Sequence, residues 1–148
     1  MPASIAFWDT SAIIPLYCNQ MMSADARRLR RRFDEPVVWW GTHVEVHSGI
    51  NRLLREGVLN DVQSQTALEK WRRLHARVRR IWPSDRVLGL AVSLTTEHGV
   101  RALDAFQLAA ALVWCNERTR SRPFVCADKR LSAAAKDAGF DLIEIGYS

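Results

Sequence analysis

The sequence predicts an α/β fold: a three-layer α/β/α domain whose central sheet is mainly parallel and has four to five strands. Short apolar runs at Ile5–Trp8, Val37–Trp40, Phe124–Cys126 and Leu142–Ile145 read as buried strands. Longer segments with helical spacing separate them, the alternation that builds a parallel sheet covered on both faces. Val100 to Cys115 adds a third signal. From Ala102 onward only Asp104 and Gln107 in it are polar, so it is a helix apolar nearly all round and must be buried.

Ile5–Trp8 ends in Asp9-Thr10-Ser11, a strand followed by residues that start a helix over about 11–17, with Pro15 inside it. A helix from about Ser23 to Phe33 carries Arg27, Arg28, Arg30, Arg31 and Arg32, a solvated face or an anion-binding one. Glu35-Pro36 leads into the second strand and Gly41 leads out. Thr42 opens the next helix, with Val46, Ile50, Leu53 and Leu54 at helical spacing and Gly57 as its stop. A longer helical segment runs from Asn60 to about Arg80, with Trp71, Leu74 and Val78 along one side. Ile81-Trp82-Pro83 makes a brief strand or crossover before Ser84, a candidate N-cap for a helix that stops at Gly99. The helix over about 100–118, the strand Phe124–Cys126, a helix over Leu131–Ala138 stopped by Gly139, and the strand Leu142–Ile145 complete the pattern.

With 148 residues, 48% of them hydrophobic and 25% charged, one domain over 1–148 with one sizeable core is expected. The net charge of +5 favours a polyanionic partner such as nucleic acid. Cys18, Cys115 and Cys126 are odd in number, far apart and not at paired-ligand spacing, so neither a disulfide framework nor a zinc site is indicated. No leader pattern and no bilayer-length apolar run is present, and the expected localisation is cytoplasmic, with no membrane partner.

Four acids carry the functional signal. In open α/β sheets ligands bind outside the carboxyl ends of the strands. Asp9 and Asp128 each follow a strand. Glu45 lies in the first turn of the helix leaving the second strand, and Asp104 near the start of a helix that must descend from the same edge to reach Phe124–Cys126. Each has an ordinary explanation: Thr42 and Glu45 fit a T-x-x-E capping box, Asp104 fits a helix N-terminus, and Asp9 and Asp128 fit N-caps. Together they form a cluster of carboxylates whose repulsion raises pKa values unless a cation lies between them. Hard oxygen donors of this kind suit Mg²⁺ or Mn²⁺.

At these residues the chain resembles the PIN-domain ribonucleases, in particular the VapC toxins of bacterial toxin–antitoxin pairs. The resemblance rests on Phe7-Trp8-Asp9-Thr10-Ser11-Ala12, on Thr42-x-x-Glu45, on Arg101-Ala-Leu-Asp104-Ala-Phe-Gln107-Leu and on Phe124-Val-Cys-Ala-Asp128-Lys-Arg-Leu131, in that order and spacing. It implies that Asp9, Glu45, Asp104 and Asp128 hold one or two divalent ions, Mg²⁺ or Mn²⁺. It also implies that Ser11 supports the site by hydrogen bonding, that RNA is cut to a 5′-phosphate and a 3′-hydroxyl, that the protein is a homodimer, and that a cognate antitoxin neutralises it. Gln107, one turn beyond Asp104, is expected to orient it or to line the RNA path. The chain departs from the family in its richness in tryptophan and in Cys126, where many relatives carry a small hydroxyl residue.

Other readings are weaker. His43 and His47 stand four apart on a helix, but Val44 occupies the place where a zinc-protease helix needs glutamate, so packing or surface histidines are expected. Asp9-Thr10-Ser11 lacks the second acid of an aspartate-nucleophile phosphatase, and no glycine-rich phosphate loop is present. Among the tryptophans, Trp39, Trp40 and Trp71 are the candidates for stacking on bases. The competing class is a PIN-like module that binds RNA or protein without catalysis.

Overall fold

Side-chain alternation along the first strand sorts the molecule into layers. In a computed structural model that describes residues 4–18 and 22–146, β1 (Ile5–Trp8) sends Phe7 to one face of the sheet and Ala6 and Trp8 to the other. β2 (Glu35–Trp39), β3 (Arg79–Ile81), β4 (Pro123–Cys126) and β5 (Asp141–Glu144) complete a parallel sheet in the order β3-β2-β1-β4-β5. The chain winds outward from β1 in one direction through β2 and β3, then returns to place β4 on the other side of β1. The crevice at such a reversal is where α/β sheets bind ligands.

Helices α1 (Thr10–Tyr17), α2 (Ser23–Arg32), α3 (Thr42–Arg55) and α4 (Asp61–His75) cover one face, packing Ile13, Leu29, Ile50 and Trp71 against Trp8 and Val38. Helices α5 (Asp85–Glu97), α6 (Ala102–Trp114) and α7 (Lys129–Asp137) cover the other, packing Val87, Leu108 and Leu131 against Phe7, Val37 and Phe124. The anticipated burial of the apolar helix is met: α6 buries Ala105 and every residue from Gln107 to Leu112, and its alanines let it approach the sheet closely. Gly99 takes φ +62° between α5 and α6, a left-handed turn that suits glycine. Ser84 caps α5 by accepting the Val87 N–H at 3.1 Å.

Several boundaries differ from the sequence reading, and the buried helix expected to run to about 118 ends at Trp114. The helical segment expected to reach Arg80 ends at His75, and Arg79 and Arg80 enter β3, pairing with Val37 and Val38. Ladder bonds to β2 and burial of Val78 and Ile81 outweigh continuation of the helix. The second strand begins at Glu35, with Pro36 near its entry, where a missing N–H is tolerated. Among the described residues no helix is long and apolar enough to cross a membrane.

Candidate functional site

The four acids arrive from four elements and line one cavity of about 430 Å³, together with Thr10, Ser11 and two arginines of α3, Arg52 and Arg55. Asp9 is the N-cap of α1 and Asp128 the N-cap of α7, so the capping explanation holds for both without removing either from the cavity. Asp128 accepts the Leu131 N–H at 2.9 Å.

Asp9 is buried, with 4% of its surface exposed. Its Oδ2 accepts the Ser11 N–H at 3.1 Å, the Ser11 hydroxyl at 2.5 Å and, more distantly, the Cys126 thiol at 3.8 Å. Ser11 Oγ in turn accepts the Ala127 N–H at 2.9 Å, tying the end of β1 to the end of β4 across the reversal. Burial raises the Asp9 pKa to about 6, against the opposing pull of the Ser11 bonds, and the charges of Asp104 and Asp128 push it further up. The one Cys126 S–H is shared between Asp9 and the Asp128 carbonyl, its nearer acceptor at 3.4 Å, which closes the β4–α7 turn. Burial lifts its own pKa to about 12, which keeps it a thiol.

The capping box expected at Thr42 and Glu45 does not form. Gly41 is the N-cap of α3 and makes no side-chain cap bond, while Thr42 is fully buried inside the first turn. Gln107 supplies the reason. Its Nε2 faces Glu45 Oε2 at 3.0 Å, Thr42 Oγ1 at 2.8 Å and Thr10 Oγ1 at 3.1 Å, so Glu45 is drawn toward α6 instead of back to its own helix end. Gln107 thus departs from expectation: it is fully buried, it bonds Glu45 and not Asp104, and it is not among the residues lining the acid cavity. Its Oε1 is buried and has no hydrogen-bond partner among the described residues. Burial raises the Glu45 pKa to about 7, and repulsion from Asp9 adds to it. A full capping box does exist at Asn60 and Gln63, at the start of α4.

Asp104 lies in the first turn of α6, whose N-cap is Arg101, so it is not the cap itself. Partial burial and the charge of Asp128 raise its pKa, and Arg101 and Arg130 offset part of that. Among the described residues no three His, Cys, Asp or Glu side chains are already gathered into a ligand cluster. The acids instead share a cavity and repel one another across it. Their chemistry fits a hard divalent cation: four carboxylates from four elements line one cavity, and burial raises Asp9 to about 6 and Glu45 to about 7, so ionising both there calls for a compensating positive charge.

Arg52 and Arg55 escaped the sequence reading, although positions 45, 48, 49 and 52 recur at helical spacing and all line the cavity. The sequence drew attention to arginines elsewhere. Those of α2 are largely exposed, with Arg28 paired to Asp25, and Arg72 and Arg80 act on the histidines. Thr10 and Thr42 were missed because their partner, Gln107, is remote in sequence. His43 and His47 behave as packing residues: His43 Nδ1 accepts the Trp71 Nε1–H at 3.0 Å and its ring stacks on His75 at 4.0 Å. Trp39 and Trp71 belong to the core, whereas Trp40 is exposed.

The PIN-domain family model matches residues 6–137. Two solved structures are similar over nearly the whole chain. One, described as a toxin–antitoxin complex from Klebsiella pneumoniae, has a TM-score of 0.68 at 16% identity and covers 97% of this chain and 99% of its own. The other, PAE2754 from Pyrobaculum aerophilum, has a TM-score of 0.59 at 17% identity and covers 96% of this chain and 90% of its own. No curated protein matches. The family match spans all four acids and the strands from β1 to β4, and the chain belongs to the PIN-domain family.

Proposed function

We propose that this PIN-domain protein is a divalent-metal-dependent endoribonuclease, the toxin of a toxin–antitoxin pair. The observation that carries the reading is the convergence of Asp9, Glu45, Asp104 and Asp128 on one cavity of a chain whose net charge is +5. Asp9, Glu45, Asp104 and Asp128 would hold Mg²⁺ or Mn²⁺. When bound, such an ion lowers the pKa of a coordinated water and neutralises charge on a phosphodiester.

The chain's own residues do the rest. Ser11 pins Asp9 and Gln107 pins Glu45, so both carboxylates are held in place before substrate arrives. Arg52 and Arg55 offer guanidinium groups to the RNA backbone; the exposed 3.9 Å pair of Arg52 with Glu56 is too weak to compete with a phosphate. The family resemblance supplies the product ends, a 5′-phosphate and a 3′-hydroxyl, and the homodimeric state. The antitoxin proposal draws on the description of the Klebsiella structure as a toxin–antitoxin complex. Val44 and Leu103 are exposed at the mouth of the cavity, and an antitoxin helix that covers them can set a cationic side chain among the acids.

Incubating the purified protein with a panel of RNAs tests the reading. Cleavage is expected with Mg²⁺ or Mn²⁺ and none in EDTA, with 5′-phosphorylated products. A second reading, an RNA- or protein-binding module without catalysis, is favoured by one fact: the acids are not gathered into a ligand cluster. Salt-sensitive RNA binding that EDTA leaves unchanged, with no cleavage under any metal, would select it.

A further inference from the structure

We infer that Trp40 and Trp82 form a stacking subsite for an unpaired base of a single RNA strand. The inference rests on the nuclease reading above and supplies a part of substrate recognition that the acids do not.

Large aromatic side chains are normally placed inside, as Trp8 and Trp71 are here. Trp40 and Trp82 are instead 47% and 61% exposed, and they stand side by side. Trp40 directly follows β2 and Trp82 directly follows β3, so both project from the strand ends that carry the acids. The Trp40 N–H donates to the Ile81 carbonyl at 3.0 Å, which fixes the two residues in register. Their ring centres lie 6.5 Å apart with planes inclined at 37°, so their faces do not close on each other.

The platform has a rigid floor. Trp39 lies flat on Phe106, with ring centres 5.5 Å apart and planes 1° from parallel, and meets Trp40 edge-on. Phe106 is two residues beyond Asp104 on α6, so the floor is carried by the same helix as one of the acids but on a different face of it. Gly41 is needed here: a Cβ at this position would come within 2.4 Å of Trp39 Nε1. Trp39, Trp40 and Phe106 border a cavity of about 460 Å³, of the size that holds small ligands, with Leu88 and Asp85 also in its lining; Trp82 stands outside it, next to Trp40.

Charge decides the class of occupant. The Arg80 guanidinium lies over the Trp82 ring, 5.8 Å from its centre, with Nη1 also 3.3 Å from His75 Nε2, so a cation sits against one face of this exposed aromatic. Flat π-faces next to a guanidinium are what single-stranded nucleic acid uses: bases stack, the cation meets the backbone, and an acceptor such as Asp85 takes a base N–H. The competing occupant is a second copy of the chain, seated on Leu88 and Val92 of α5, both exposed.

The test measures binding of a labelled single-stranded RNA to the full chain in EDTA, so that cleavage plays no part. Trp40→Ala with Trp82→Ala is expected to weaken binding by about 5- to 150-fold per stacked base. Trp40→Phe is expected to retain most of the affinity. Wild-type protein is expected to bind an abasic strand of the same length as weakly as the double variant binds the intact one, a control that needs no mutation to fold. Equal wild-type affinity for intact and abasic strands overturns the inference. So does an unchanged affinity of the double variant, and if that variant has also lost self-association in sedimentation, the face belongs to a second copy. Base-dependent binding without cleavage under any metal would sink the nuclease reading alone, and cleavage without base dependence would sink the stacking subsite alone.

Discussion

Helix α3 separates two clusters of titratable groups that are built on opposite principles. Glu45 looks into the acid-lined cavity, while His43 and His47, two residues to either side and about 200° away around the helix, look toward α4. Burial is the first cause of every resolved shift in both clusters: it raises Asp9, Glu45 and Asp104 and lowers His43, His47 and His75, the last to about 4. Each cluster is therefore pushed toward neutrality. The histidines reach a workable state that way, since a neutral imidazole accepts the Trp71 N–H and stacks on its neighbour. Carboxylates that converge on an open cavity gain nothing comparable from being protonated. A cluster of neutral rings that bond and stack on one another is packing, and a cluster of like-charged acids lining a cavity calls for a partner from outside.

The largest expected effect separates the two clusters by activity. Asp9→Asn and Asp104→Asn are each expected to lower RNA cleavage by more than about 100-fold, with an unchanged circular dichroism spectrum. His43→Ala, across the helix, should leave cleavage at the wild-type level. Its effect is on stability, because it removes the acceptor of a buried indole N–H. Thermal or urea unfolding should show a loss of about 1–3 kcal/mol. Were His43→Ala inactive and Asp104→Asn active, the assignment of roles to the two faces would be reversed.

An intermediate effect is expected at Gln107. Gln107→Met keeps the length of the side chain and removes the amide that holds Glu45, and it should weaken Mn²⁺ binding by roughly 10–100-fold. Cleavage at saturating metal should recover more than in Asp9→Asn, since Gln107 acts through Glu45.

Effects of pH are confined to the stability of the metal-free protein, and they run in opposite directions. Asp9 has a folded pKa of about 6 against an ordinary value of 3.8, so stability present below about pH 4 is lost as pH rises through 6. Glu45 repeats this from 4.5 to about 7. For His75 the folded pKa of about 4 lies below the ordinary 6.5, so its contribution is present above pH 6.5 and is lost as pH falls through 4. Unfolding curves between pH 4 and 8 should therefore show Asp9→Asn gaining on the wild type as pH rises, by up to about 3 kcal/mol. His75→Gln should gain on the wild type as pH falls. Parallel curves for all three proteins would remove the electrostatic contrast.

What the sequence revealed and what it hid divide along contact distance. Short apolar runs that make buried strands, such as Ile5–Trp8, and helix stops such as Gly99 are local signals, and they were legible. So was the gathering of the acids, because chain direction in a parallel sheet determines which edge each residue reaches. The end of α4 was not legible, because Arg79 and Arg80 continue a helical pattern locally and only pairing with β2 draws them into a strand. Nor was the true role of Gln107, whose three partners lie more than sixty residues away, nor the failure of the Thr42–Glu45 capping box that follows from it. The histidine cluster was half visible: His43 and His47 share a helix face, but His75 and Trp71 join them only through packing of α3 on α4.

Calorimetric titration of Mn²⁺ into the metal-free protein at pH 8 and at pH 5.5 tests most directly whether the acid edge is a cation site. Protons on Asp9 and Glu45 must leave before those carboxylates can serve as ligands. Wild-type protein should therefore bind Mn²⁺ more tightly at pH 8 than at pH 5.5, with proton release, and Asp9→Asn/Asp104→Asn should show no comparable binding at either pH. Equal binding by wild type and double variant, or binding that does not change between the two pH values, would contradict it.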